Sequence, residues 1–134
     1  MGYSKLEKYI VRDVWHEDYA VEFHKEVTRP ALILRKNDAS ASDGHPPFAL
    51  SWVPITQAFV MAPEPHVHDW DEILMFIGSD GTNLLDLGGE VELSLGEDEH
   101  HLEKFTFTTS TFVHVVGGLW HCPLSFEKVN DPSR

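Results

Sequence analysis

The segment EPHVHDWDE, residues 64–72, sets two histidines and four carboxylates within nine positions, directly before the apolar run 73–77. Imidazole is the commonest side-chain metal ligand and the usual acid–base group near neutrality. His66 and His68 are two apart, so on a strand both rings project from one face. Glu72 follows a three-residue link and faces back across the pair if the chain turns tightly at 69–71. A fourth ligand has to come from a neighbouring strand. His121, after the glycine pair 117–118 and before Cys122 and Pro123, is the best-placed residue. An ionised carboxylate opening an apolar strand is costly to bury unless something neutralises it, and a divalent cation does so.

The elements that must position these groups are short strands. ALILRKN (31–37) suits a buried strand, and DASASDGHPP (38–47) is small, polar and proline-ended, which marks an exposed loop. The N-terminal stretch YIVRDVWHEDYAVEFH fits strand or helix. FALSWVPITQAFVMA (48–62) is rich in β-branched and aromatic residues, with Pro54 as a break. EILMFIG predicts a buried apolar strand closed by glycine, and residues 78–89 a long turn-rich connection. EVELSL alternates strictly, with Val91, Leu93 and Leu95 on one face and Glu90, Glu92 and Ser94 on the other. GEDEHH predicts a turn; LEKFTFTT, STFVHVV and PLSFEKV predict three further strands. Close-spaced strands with glycine turns imply an all-β sandwich or barrel. The connection 78–89 is long for a hairpin, which suggests a cover over the barrel mouth or a contact with a second subunit. The tail NDPSR is expected to fray.

Composition narrows the function. With 134 residues the chain is expected to form one domain, split into N-terminal strands and loop (1–47) and a core (48–128). The net charge of −12 tells against nucleic acid, which needs clustered Lys and Arg. No apolar stretch is long enough to span a bilayer, no basic helix suggests a membrane surface, and the start MGYSKLEKYI has no signal-peptide core. Cys122 is the lone cysteine, which excludes an internal disulfide. A soluble, cytoplasmic protein is expected. An isolated His-x-His is a common chance pattern, and the plain alternative is two surface histidines in an acidic loop. Glu72, the β pattern around it and the downstream G-x-x-H tell against that alternative.

The stretch H66-x-H68-x3-E72-x5-G78 resembles the first motif of the cupin superfamily, and V116-x-G118-x2-H121 resembles the second. The likeness covers roughly residues 48–128, and all four ligand positions are intact. Where those motifs carry turn-shaping residues, this chain has Val60, Ser110, Val116 and Ser125, and the spacing to Gly78 is one residue short. The resemblance implies a double-stranded β-helix (jelly-roll barrel), commonly dimeric, in which His66, His68, Glu72 and His121 bind one divalent transition metal per chain: Fe, Mn, Ni or Zn. Such ligands do not select strongly among these metals.

The resemblance further implies a small-molecule metalloenzyme acting on an oxygen-rich or carbonyl metabolite. Dioxygenation ranks first, ahead of isomerase, decarboxylase or lyase chemistry. The alternative class is a non-catalytic, metal-dependent ligand-binding module. Glu72 is the candidate catalytic residue, holding metal and accepting a proton. Trp52, Phe59, Met61, Leu74, Phe76 and Trp120 are candidate pocket walls, although each residue type is more often plain core. Asp69, Asp71 and His114 are candidates for supporting the ligands, His114 more readily as a packed histidine than as a base. His45, His100 and His101 are expected in solvent and Cys122 in the core. A small-molecule ligand and a homodimer are the expected partners.

Overall fold

Alternation of apolar and polar side chains turns most of residues 50–130 into strand, and every strand pair is antiparallel. A computed structural model of the chain describes residues 5–10, 12–16, 24–29, 31–34 and 50–130. Among them there is no α-helix, only a 3-10 turn, Glu7–Tyr9. The expected loop at 38–47, with His45, and the last four residues of the tail lie outside the described residues. Two compact units are present, Met1–Pro54 and Ile55–Arg134.

In the first unit β1 (Trp15–His16), β2 (Ala31–Leu34) and β3 (Leu50–Trp52) form a sheet in that order. Val27, Ala31 and Ile33 are buried. The segment 48–62 therefore supplies two strands, as Pro54 suggests: β3 before it and β4 (Phe59–Ala62) after it.

The second unit stacks two sheets. The larger has the order β4-β9-β6-β7, where β6 is Asp86–Asp98, β7 His101–Thr109 and β9 Trp120–Val129. The smaller pairs β5 (Glu72–Phe76) with β8 (Thr111–Val115). Val91 and Leu93 of β6 and Cys122, Leu124 and Phe126 of β9 form the buried core. Leu74 and Phe76 of β5 and Val113 of β8 pack onto it from the other sheet. A two-stranded sheet is marginal alone in water, so this packing holds β5 and β8 in place. Phe76 sits edge-on to Phe107, with ring centroids 5.1 Å apart, and Phe59 tilts against Phe126 at 5.4 Å. Full burial of such a side chain contributes about 1.5–3 kcal/mol, which Phe126 approaches and the part-buried Phe59, Phe76 and Phe107 reach only in part.

The expected all-β class holds, as does the facing of Val91, Leu93 and Leu95. Among the described residues the sheets do not close into a barrel. The run 73–77 departs from the expected buried strand. Leu74 and Phe76 face the core, whereas Ile73 and Met75 are 53% and 41% exposed. The reason is architectural: a sheet with one packed neighbour buries one face only.

β6 is also longer than its alternating stretch. It begins at Asp86 and runs through Gly96 to Asp98, leaving a turn of only Glu99 and His100 before β7. Along β9, Leu124 opposes Leu93 and His121 opposes Leu95. Two residues, Cys122 and Pro123, therefore stand opposite the single Ser94, which is a β-bulge. Cys122 has φ 79°, uncommon for a residue with a side chain, and the Cys122–Pro123 peptide is cis.

Candidate metal centre

His66 lies outside the named strands but pairs with His121: each backbone N–H donates to the other's carbonyl at 3.0 Å. Directly opposed residues project to the same side, so this bridge sets the two imidazoles together, ring centroids 4.2 Å apart. His68, two positions on, presents its ring beside them at 4.8 Å from His121. The pairing continues as the N–H of Gly118 donates to the His68 carbonyl at 2.9 Å. One nitrogen from each of His66, His68 and His121 then lies within 4.8 Å of the others.

Glu72 opens β5 on the same inner side as Leu74 and Phe76. Its Oε1 is 3.9 Å from His68 Nε2 and 3.7 Å from His121 Nε2. Ligands about 2.0–2.2 Å from a common metal stand roughly 3 Å apart. The two Glu72 pairs would each close by under about 1 Å and the histidine nitrogens, up to 4.8 Å apart, by up to roughly 2 Å, within the reach of side-chain rotation. The residues thus fit a divalent cation.

The orientation of the rings supports this more strongly. His68 Nδ1 lies 2.9 Å from the Trp70 carbonyl and His121 Nδ1 3.0 Å from the Leu119 carbonyl. A carbonyl only accepts, so each Nδ1 carries the proton and each ring turns its Nε2 toward Glu72. At His121, only 1% exposed, Nε2 has no hydrogen-bond partner. An orphaned buried polar atom costs about 1–3 kcal/mol. Burial, the main influence, pushes His121 below the usual histidine range; the Leu119 contact and the Glu72 carboxylate oppose this, and His66 and His68 add to it. The ring is therefore neutral at neutral pH, as a metal ligand must be.

The other candidates fall into three groups. Asp71 and His114 meet each other: His114 Nε2 donates to Asp71 Oδ2 at 2.8 Å, while Asp71 Oδ1 accepts the Gly117 N–H at 2.9 Å. These contacts, Gly117 first, hold the Asp71 carboxyl below its usual range. His114 is exposed rather than packed, because it opposes Ile73 on the outer face. The Asp69 side chain is exposed, but its backbone carbonyl is pressed against the Gly117 turn: a Cβ on Gly117 would come within 2.7 Å of it.

Phe59, Met61, Leu74 and Phe76 pack against the core cluster. Trp120 is half-buried opposite Gly96, and Trp52 is an exposed residue of β3 in the first unit. Cys122 is buried, as expected. Burial, and then the nearby Glu72 carboxylate, push its thiol up to about 11, so it stays protonated at neutral pH. His100 and His101 are exposed.

The connection after β5 folds on itself. Gly78 N–H donates to the Leu84 carbonyl at 2.9 Å, and Asp80 caps the turn at Thr82. It leaves β5 at the end away from Glu72 and enters β6 far from Leu95, the partner of His121.

Sequence reasoning missed the groups that aim the rings, the carbonyls of Trp70 and Leu119. Side-chain identity carries no signal for a backbone atom. The glycine pair was the one available hint, since Gly118 has φ 90° and Gly117 admits close approach of another backbone. Comparison of the chain with protein-family models, curated proteins and solved structures finds no match.

Proposed function

We propose that His66, His68, Glu72 and His121 hold one divalent transition metal in a cupin-type jelly roll, and that the centre acts on a small oxygen-rich or carbonyl metabolite, with oxygenation the leading reaction. The observation that carries this reading is the buried, unpartnered Nε2 of His121, aimed at Glu72 beside two further histidines. When bound, such a metal supplies Lewis acidity and, if redox-active, a means of activating O2. The chain's own part is to present neutral imidazoles from fixed directions and one carboxylate that offsets the charge. Glu72 is part-exposed and the one carboxylate of the set, so it is the ligand best able to exchange a proton with a bound ligand or solvent.

The test is metal analysis of protein prepared without added metal, followed by oxygen uptake across carbonyl and catechol-like metabolites with Fe(II). About one metal per chain, with uptake that needs substrate and is largely lost in Glu72→Gln, is the expected result. Product formed equally well under argon would move the reaction to isomerase or lyase chemistry. Ligands bound at the metal but recovered unchanged would make the protein a binding module. Full metal occupancy in both His66→Ala and His121→Ala would overturn the centre itself. The same reading includes a homodimer, since unpaired strand edges invite association; light scattering at tens of micromolar should give about twice the 15.2 kDa chain mass.

A further inference from the structure

The candidate ligands come from two separate pieces of chain. His66, His68 and Glu72 belong to one continuous segment; His121 follows the turn 116–119, closed by the Leu119 N–H on the Val116 carbonyl at 3.0 Å. That turn also carries the Leu119 carbonyl, which sets the His121 ring through Nδ1. Whatever fixes the turn relative to residues 66–72 therefore fixes the fourth ligand. Asp71 bridges the two pieces with both carboxylate oxygens, one on the Gly117 N–H at 2.9 Å and one on His114 Nε2 at 2.8 Å. It immediately precedes Glu72, and its partner His114 stands on the outer face of the β5–β8 sheet, away from the ligands.

We propose that Asp71 is a positioning residue for the metal centre: with His114 it clamps the Gly117 turn to the strand bearing Glu72, and so sets where His121 stands. This rests on the metal-centre reading above. The clamp is not a stability device. Asp71 and His114 side chains are 60% and 57% exposed, and exposed ion pairs contribute little to stability. Outer hydrogen-bond partners of metal ligands, by contrast, commonly govern affinity. The Gly117 contact is shared with the backbone, since the Asp69 carbonyl lies too close to admit a side chain there. Losing the carboxylate leaves the fold its backbone ladder and removes the fine placement.

The experiment compares wild type with Asp71→Ala, Asp71→Asn and His114→Ala, using Co(II) alone as the probe. Affinity and the visible spectrum report the centre, and thermal unfolding reports the fold. Asp71→Ala should bind Co(II) roughly 10–100-fold more weakly with an altered spectrum, at nearly unchanged melting temperature. Asp71→Asn, which keeps an oxygen for Gly117, should recover most of the affinity. His114→Ala should show a smaller change of the same kind, and stands in for Asp71→Ala if that variant does not fold. Unchanged affinity and spectrum in both alanine variants would overturn the clamp.

A second readout needs no metal. In wild type the two ring nitrogens of His121 should give distinct 15N shifts, one protonated and one bare. Their averaging in Asp71→Ala supports the clamp, and their persistence refutes it. Wild type that binds no cobalt would sink the metal centre, while these shifts still decide the clamp.

Discussion

Residues 66–72 and residues 97–101 are made of the same materials, two histidines among carboxylates, and they meet opposite fates. At the β6–β7 turn, His101 Nδ1 donates to both oxygens of Asp98 at 2.8 Å, and His100 lies 3.3 Å from Glu99. The two histidine side chains are 80% and 81% exposed and lie against carboxylates of their own turn. At 66–72 His68 instead spends Nδ1 on the Trp70 carbonyl, as His121 across the bridge does on the Leu119 carbonyl, which leaves Nε2 on the side of Glu72. The difference lies in the framework: a cross-strand bridge to His121, a glycine turn and a packed β5, set against a two-residue hairpin end. Here ligand-type residues form a candidate centre where the backbone takes up their competing hydrogen bonds.

The largest effect that would break this comparison is loss of a ligand on one side only. His121→Ala should lower affinity for a divalent metal by more than the roughly 10–100-fold typical of outer partners, whereas His101→Ala should leave it unchanged. Equal losses, measured by metal competition, would mean both clusters contribute.

A smaller effect follows from acid. Burial lowers the pKa of His121 in the folded chain, while the unfolded chain titrates near 6.5. Above that value the ring is neutral in both states and adds no pH dependence. As the pH falls below it, the unfolded chain takes a proton that the folded chain refuses, so stability declines by up to about 1.4 kcal/mol per pH unit. The decline stops at the lowered folded value. Urea unfolding of metal-free protein should show this window in wild type and His101→Ala, and lose it in His121→Asn.

The smallest effect concerns aim rather than ligation. Trp70 stacks on His68 with centroids 4.3 Å apart and planes within 6°. Aromatic pairs contribute about 0.5–1.5 kcal/mol. Trp70→Ala should therefore weaken metal binding severalfold at most, by calorimetry, because the Trp70 carbonyl that orients His68 survives the change.

Much of this centre is legible in the sequence, because strand geometry is periodic. The alternation of Val91, Leu93 and Leu95 fixes the inner side of β6, and the spacing of His66 and His68 suits a shared side although neither lies in a named strand. What sequence could not supply is pairing. Glycine reads as punctuation in a sequence, yet Gly89 and Gly96 lie inside β6, paired with Val129 and Trp120. The apolar character of Ile73 and Met75 points to the core, because composition does not reveal that β5 has a solvent face. The apolar neighbours of His114 point to a packed ring for the same reason, and its attachment to Asp71 depends on a register between residues 43 positions apart.

The bulge at Cys122 and Pro123 has a consequence for how this chain tolerates change. Strand faces alternate, so His121 and Leu124, three apart, would regularly look in opposite directions; the extra residue brings both to the inner side. It acts as a phase correction between the part of β9 that builds core and the part that presents a ligand. A single-residue deletion there would behave like a reading-frame error in space, leaving every side chain chemically intact while turning either His121 or the Leu124–Phe126 face outward. Point substitutions at 122 or 123 keep the count and should preserve the phase. Length, more than identity, is what this stretch of β9 has to conserve.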